Sequence, residues 1–228
     1  MNYVFSKKKP EIGDKGFIVG DRFIPIQKSG TKIPIKGLIY YDDLETLKDK
    51  ALTGQTYNKV GSVQESEYNN QKCLYFNGSS YLITNESSGL SGKNPTSQSV
   101  WIYAPNSKNV SGGFMTGGKN KKMIAIGADY GKVFLSGYDE DVDFRTNVSY
   151  DNWKHIVALF DVNQWRIYIN GTYFNTYNVT NVNIADAPIY IGSTFGEFNL
   201  IGYVKSARLY NRLLTEDEIG LLANEFDV

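Results

Sequence analysis

The stretch from Asp151 to Phe174, DNWKHIVALFDVNQWRIYINGTYF, holds the chain's single histidine, His155, between two of its three tryptophans, Trp153 and Trp165. A lone histidine beside an indole and six positions ahead of Asp161 invites a general-base reading, so the structure of this stretch decides what the histidine is. The stretch reads as three strands. Trp165, Ile167 and Ile169 alternate with Arg166 and Tyr168, a period of two that places apolar side chains on one face and polar ones on the other. Turns at Asp161 to Gln164 and at Asn170-Gly171 separate the runs. An Asn-Gly pair between apolar runs is a strong hairpin signal, because both central residues of such a turn take positive φ. His155 therefore falls on a strand. Hydrolysis through it would need a nucleophile and an orienting acid, and the sequence has neither a Gly-x-Ser-x-Gly elbow nor a catalytic-type cysteine context.

Strand signals continue on both sides. KCLYFNGSSYLIT predicts strands over Cys73 to Phe76 and Tyr81 to Thr84 about an Asn-Gly turn. MIAIGADYGKVFLSGY predicts a second pair, Met123 to Gly127 and Lys132 to Ser136, around a polar turn. PIYIGS and LIGYVKSARLY add two more near the C-terminus. Only LLTEDEIGLLANEF looks helical. Thr215 is a natural N-cap, Glu218 completes a capping box, and Leu214, Ile219, Leu222 and Phe226 recur at roughly helical spacing. Many short strands closed by one helix predict an all-β sandwich with a short C-terminal helix docked on it. Residues 1 to 36 stand apart as an N-terminal arm. They suit a small hairpin about Gly20-Asp21, whose flanks Pro25 and Pro34 demote to edge strands.

At 228 residues the chain is long enough for one sizeable domain, 37 to 228, beside that arm. Its 24 basic and 24 acidic residues cancel, which removes any global electrostatic case for nucleic acid or an anionic membrane. Lys7-Lys8-Lys9 reads as a solvated tail, and no apolar run approaches the ~18 residues of a membrane span. The start, MNYVFSKKKPEIGDKG, lacks the apolar core of a secretory signal. A virion or extracellular surface reached without a classical signal peptide is the expected location. The single cysteine, Cys73, rules out an internal disulfide.

Read in order, LYFNGSSYLIT, SVWIYAP, WKHIVALFD, WRIYINGTYF, IYIGS and IGYVKSARLYNRLLTEDEI resemble the laminin-G-like, concanavalin-A-like jelly-roll family over about Gly37 to Phe226. In that family a Phe-x-Gly hairpin comes early, a Trp-x-His block sits mid-chain, and the chain closes on a strand followed by a short helix. The resemblance implies a two-sheet antiparallel jelly-roll sandwich, with His155 and Trp153 as structural residues. It implies no single activity, because this fold hosts many functions.

Glucanases of that superfamily carry Glu-x-Asp-x-Glu on one strand. The nearest match, YDEDVDF over Tyr138 to Phe144, puts Glu140 and Asp141 on opposite faces and has no second Glu at the needed spacing. Asp139, Asp141 and Asp143 match the first three positions of a calcium loop, but Phe144 stands where the glycine should be and Tyr150 where the distal Glu should be. Relatives place an acid in the last strand, where this chain has Lys205. No cofactor and no family-type calcium site is expected, although an unrelated surface ion is compatible with the sequence.

What remains is recognition. Exposed rings and polar groups suited to a sugar are expected at Asp129, Tyr130, Tyr138, Arg145, Arg166 and Tyr168, with Phe195 and Phe198 as a second apolar tip. The expected function is a non-catalytic, lectin-like adhesion module for a surface glycan. The alternative is a structural fibre, spike or decoration protein of a phage virion or surface assembly, docked or self-assembled through residues 1–36. Glycoside hydrolysis is a minor alternative.

Overall fold

The structure, a computed structural model, describes residues 16–19, 22–25, 33–47, 51–105, 109–139, 143–161, 163–179 and 182–226. β1 (Gly16–Val19) and β2 (Arg22–Pro25) form an antiparallel hairpin. The sandwich begins with β3 (Leu38–Asp42), β4 (Tyr57–Val60), β5 (Gln64–Tyr68), β6 (Gln71–Asn77) and β7 (Tyr81–Ser87). It continues with β8 (Thr96–Tyr103), β9 (Ser111–Gly118), β10 (Lys122–Asp129), β11 (Lys132–Ser136) and β12 (Asp143–Ser149). The histidine-bearing stretch supplies β13 (Lys154–Asp161), β14 (Gln164–Ile169) and the start of β15 (Thr172–Asn178). β16 (Pro188–Ile191), β17 (Ser193–Thr194), β18 (Phe198–Asn199), β19 (Ile201–Tyr210) and α1 (Glu216–Ala223) complete the chain.

Two antiparallel sheets face each other. One has the order β12-β11-β10-β9-β16-β7-β4 and the other β15-β14-β13-β8-β19-β6-β5, with β3 pairing the C-terminal part of β19. This is the two-sheet jelly-roll sandwich that the resemblance implies. The period of two sends Phe114, Ile124, Ile126, Val133, Leu135, Ile189 and Ile191 inward from the seven-stranded sheet. They meet Val100, Ile102, Ile156, Ala158, Phe160, Trp165 and Ile167 of the eight-stranded sheet in one core.

Local signals map onto this frame with two differences. Asn170 and Gly171 both have positive φ, 50° and 78°, as the two-residue turn between β14 and β15 requires. At Asn77-Gly78, by contrast, only Gly78 is left-handed, and the connection runs through Gly78, Ser79 and Ser80. The second difference is β9, SGGFMTGG, whose four glycines hide a strand in what reads as turn composition. Glycine is required at position 112, because a Cβ there would stand 2.2 Å from Thr194 Oγ1 and 2.5 Å from the Ser193 carbonyl carbon. β17 crosses directly over β9 at this point.

The outer face of the eight-stranded sheet is covered. Thr215 caps α1, its side chain accepting from the Glu218 N–H while Glu218 accepts from the Thr215 N–H, as the capping box predicts. Ile219 and Leu222 then bury against Val157, Leu159 and Tyr168, together with Tyr41, Tyr210 and Leu38. Ile33 is buried in the same cluster, and the Lys36 carbonyl accepts from Arg212 Nε. Residues 33 to 36 therefore lie against the sandwich.

Candidate functional site

His155 is fully buried. Its Nε2 lies 2.9 Å from Ser99 Oγ, and its ring stacks on Trp101 with centroids 5.2 Å apart. Burial, with the Arg208 guanidinium nearby, pushes its pKa down to about 3, so the imidazole is neutral near pH 7. A substrate has no path to it. The histidine is a wall residue, as its place in the strand predicts. Trp153 and Trp165 are each 2% exposed.

The outer face of the seven-stranded sheet is different. One row across it runs Tyr190, Met115, Ala125, Ser136 and Asp143, and the next runs Gly112, Gly127, Phe134 and Arg145. Small residues at 112, 125 and 127 leave a hollow above β9, β10 and β11. The result is a groove of about 340 Å³, floored by Ala125, Gly127, Phe134 and Ser136 and walled by Tyr138, Asp139, Asp143, Thr194 and Phe198. A second hollow of about 460 Å³, lined by Asn109, Glu197 and Asn199 among others, shares Val110, Ser111 and Phe198 with it.

Two walls of the groove are fastened to each other. Tyr138 donates from its hydroxyl to Glu197 Oε2 at 3.0 Å, and Lys119 Nζ donates to Glu197 Oε1 at 2.5 Å. The ring of Tyr138 meets Phe195 edge-on at 5.3 Å and Phe198 at 6.1 Å. The Lys119 ammonium and the Tyr138 hydroxyl hold the Glu197 carboxyl below its usual range. Tyr138 and Phe195 both have positive φ, 65° and 56°. For bulky residues this conformation costs on the order of 1–3 kcal/mol each and clusters at ligand clamps and active sites. The second apolar tip expected at Phe195 and Phe198 is therefore part of the same site as Tyr138. Phe195 packs down on Met115 and Met123, while Phe198 stays exposed at the groove.

Asp143 opens β12 and faces the groove. Burial pushes its carboxyl above the usual range, opposed by hydrogen bonds that include the Gly137 N–H at 3.2 Å. Farther along the sheet, Arg145 Nε donates to Asp129 Oδ2 at 2.5 Å, and its guanidinium lies 5.3 Å from the centre of the Phe134 ring. Tyr130, 72% exposed, sits at the tip of the β10–β11 hairpin.

The six expected contact residues thus divide. Asp129, Tyr138 and Arg145 share the groove-bearing face, with Tyr130 at its rim. Arg166 and Tyr168 lie on the opposite sheet, and the exposure expected of Tyr168 is corrected. Tyr168 is only 4% exposed because α1 covers it, and its hydroxyl donates to Glu216 at 3.1 Å. Arg166 flanks that covered patch, on the side of the molecule away from the groove. Lys205, in the position where relatives carry an acid, is buried with its ammonium donating to Gln71 Oε1 at 2.6 Å and lying 3.7 Å from the centre of the Phe226 ring. Sequence reasoning missed the floor residues Ala125 and Gly127 and the wall residue Asp143 as parts of one site.

A family model for laminin-G-type domains, described as the concanavalin A-like lectin/glucanases superfamily, matches residues 76–220. The chain belongs to this superfamily. Among solved structures, it is similar to domain 4 of AbnA, an extracellular arabinanase of Geobacillus stearothermophilus, solved with arabinotriose. That match has 16% identity and a TM-score of 0.64, covering 82% of this chain and 98% of that one. A structure described under the cell entry of botulinum neurotoxin type C, dependent on two ganglioside molecules, matches at 17% identity and a TM-score of 0.62. It covers 82% of this chain and 51% of that one. The binding domain of botulinum neurotoxin DC with rat synaptotagmin II matches at 15% identity and a TM-score of 0.62, with the same coverage. At these identities the likeness establishes the fold alone. No curated protein sequence matches the chain.

Proposed function

We propose that this chain is a non-catalytic, lectin-like module that holds a glycan in the groove above β9, β10 and β11. The observation that carries the reading is the groove's chemistry: a shallow apolar floor, aromatic walls at Tyr138 and Phe198, and carboxylates at Asp139 and Asp143. A sugar offers an apolar C–H face for a ring and hydroxyls for carboxylates, so both parts are used. Support comes from the superfamily, and from similar folds whose structures involve arabinotriose and gangliosides.

The test is binding of the full chain to a glycan panel. Tyr138→Ala should weaken any bound glycan by about tenfold, equal to about 1.4 kcal/mol, while Arg166→Ala on the far sheet leaves binding unchanged. A wild-type chain that binds nothing on the panel ends this reading. Prolonged incubation should release no reducing ends; their appearance would favour a hydrolase.

A second reading concerns assembly. Among the described residues, β1 pairs with β2 and neither pairs with a strand of the sandwich. Two strands alone are marginal in water, so the arm needs a surface to cover it. The arm would then dock the module to a second copy or to a virion or surface assembly. Deleting residues 1–32 spares Ile33 and should leave a folded sandwich with unchanged glycan binding but no self-association by light scattering. Full-length protein that is monomeric at every concentration would exclude docking through a second copy.

A further inference from the structure

We infer that the groove selects neutral glycans and rejects those bearing carboxylates or sulfates, with Asp143 as the residue that sets this preference. The inference rests on the glycan-binding reading above and adds the chemical class of the ligand. It follows from how the charges around the groove are arranged.

Among the described residues, three cations near the groove each face an acid. Lys119 is 2.5 Å from Glu197, Lys121 is 3.7 Å from Asp139, and Arg145 is 2.5 Å from Asp129. The last pair is anchored by an aspartate side chain only 8% exposed, so Arg145 is held where it is. Lys132, across the strand pair from Asp129, lies beyond the Arg145 pair and does not line the groove. Among the described residues, the groove lining itself contains Asp139 and Asp143 and no lysine or arginine.

An anionic sugar entering here would meet the Asp143 carboxylate with no cation among the described lining residues to neutralise it. It would also lose water from its own charge against Ala125, Phe134 and Phe198, and burying an unpaired charge is costly. A neutral sugar meets neither penalty. Its hydroxyls donate, and an ionised carboxylate is an acceptor with about four lone-pair sites. At Asp143 those sites already take the Gly137 N–H at 3.2 Å and hydrogen bonds from Ser136, Tyr138 and Asp139, so the carboxylate acts on a ligand through its charge. The apolar floor has room for the C–H face of the same ring. Like-charge rejection of this kind is how a site discriminates without gaining new contacts.

The experiment uses the full chain against a broad glycan panel that includes matched pairs differing only in charge: galactotriose with trigalacturonate, and lactose with sialyllactose. The expected result is that bound structures are neutral and that each acidic partner binds at least about tenfold more weakly, equal to about 1.4 kcal/mol. Asp143→Asn, which keeps an acceptor oxygen but not the charge, should shrink that ratio. Acidic partners that bind equally or better, with Tyr138→Ala still weakening binding, would overturn the inference while leaving the glycan reading intact. An unchanged ratio in Asp143→Asn would overturn the role of this residue. Binding to nothing on the panel would remove the glycan reading and this inference together.

Discussion

Glu225→Ala should lower the free energy of unfolding by about 3–5 kcal/mol, the usual cost of stripping one partner from a buried ion pair. Its partner is Arg208 on β19, whose side chain is fully buried, and the two meet at 2.5 Å. Arg208 also donates to Ser206 Oγ at 2.6 Å and stacks over Tyr41 at 4.2 Å. Without the carboxylate, a guanidinium remains in an apolar layer beneath the C-terminal segment. The attraction between the two charges in water-free surroundings mostly offsets their desolvation, so the pair itself adds little net stability. Replacing both, as Arg208→Met with Glu225→Leu, should therefore recover most of the loss. Urea unfolding of the single and double variants checks this. A single variant within about 1 kcal/mol of wild type would mean that water already reaches the arginine.

Trp165→Ala should cost a similar amount, about 3–5 kcal/mol. Its ring lies edge-on to Phe160 at 6.4 Å and to Phe144 at 5.7 Å, where the two sheets meet. Trp165→Phe should cost far less, under about 1.5 kcal/mol. The indole N–H has no hydrogen-bond partner among the described residues, so the smaller ring discards a buried polar group along with some contact area. Trp153 differs, since its N–H donates to the Tyr68 carbonyl at 3.2 Å. Trp153→Phe should therefore cost more than Trp165→Phe in urea unfolding. Equal losses would show that the hydrogen bond contributes nothing.

The contrast between those tryptophans marks where sequence reading stops. Alternation in β14 identified Trp165, Ile167 and Ile169 as inward-facing, because a period of two is a local property of the backbone. It equally placed Tyr168 outward, which is correct for the sheet but not for solvent. The cover comes from α1, forty-eight residues later in the hydrogen bond to Glu216, and no local pattern encodes such a contact. The groove was hidden for another reason. Its floor is defined by side chains that are small or missing, Ala125 and Gly127, and absence carries no periodic signal. Tyr138, Asp129 and Arg145 were legible because polar and aromatic residues near turns stand out by chemistry. Their shared face emerged only from the register that sets Phe134 opposite both Gly127 and Arg145.

The helix laid over the outer face of the eight-stranded sheet also fixes a direction. The groove and the C-terminal helix occupy opposite broad sides of the sandwich, separated by both sheets and the core between them. A tether joined beyond Glu225 would leave from the rear, and the groove would face away from whatever the tether is attached to. Coupling the chain to a sensor surface by that end should present every groove to the solution. Coupling through lysines such as Lys119, beside Tyr138 and Phe195, would blind a fraction of them. The face opposite the groove is already closed by the helix.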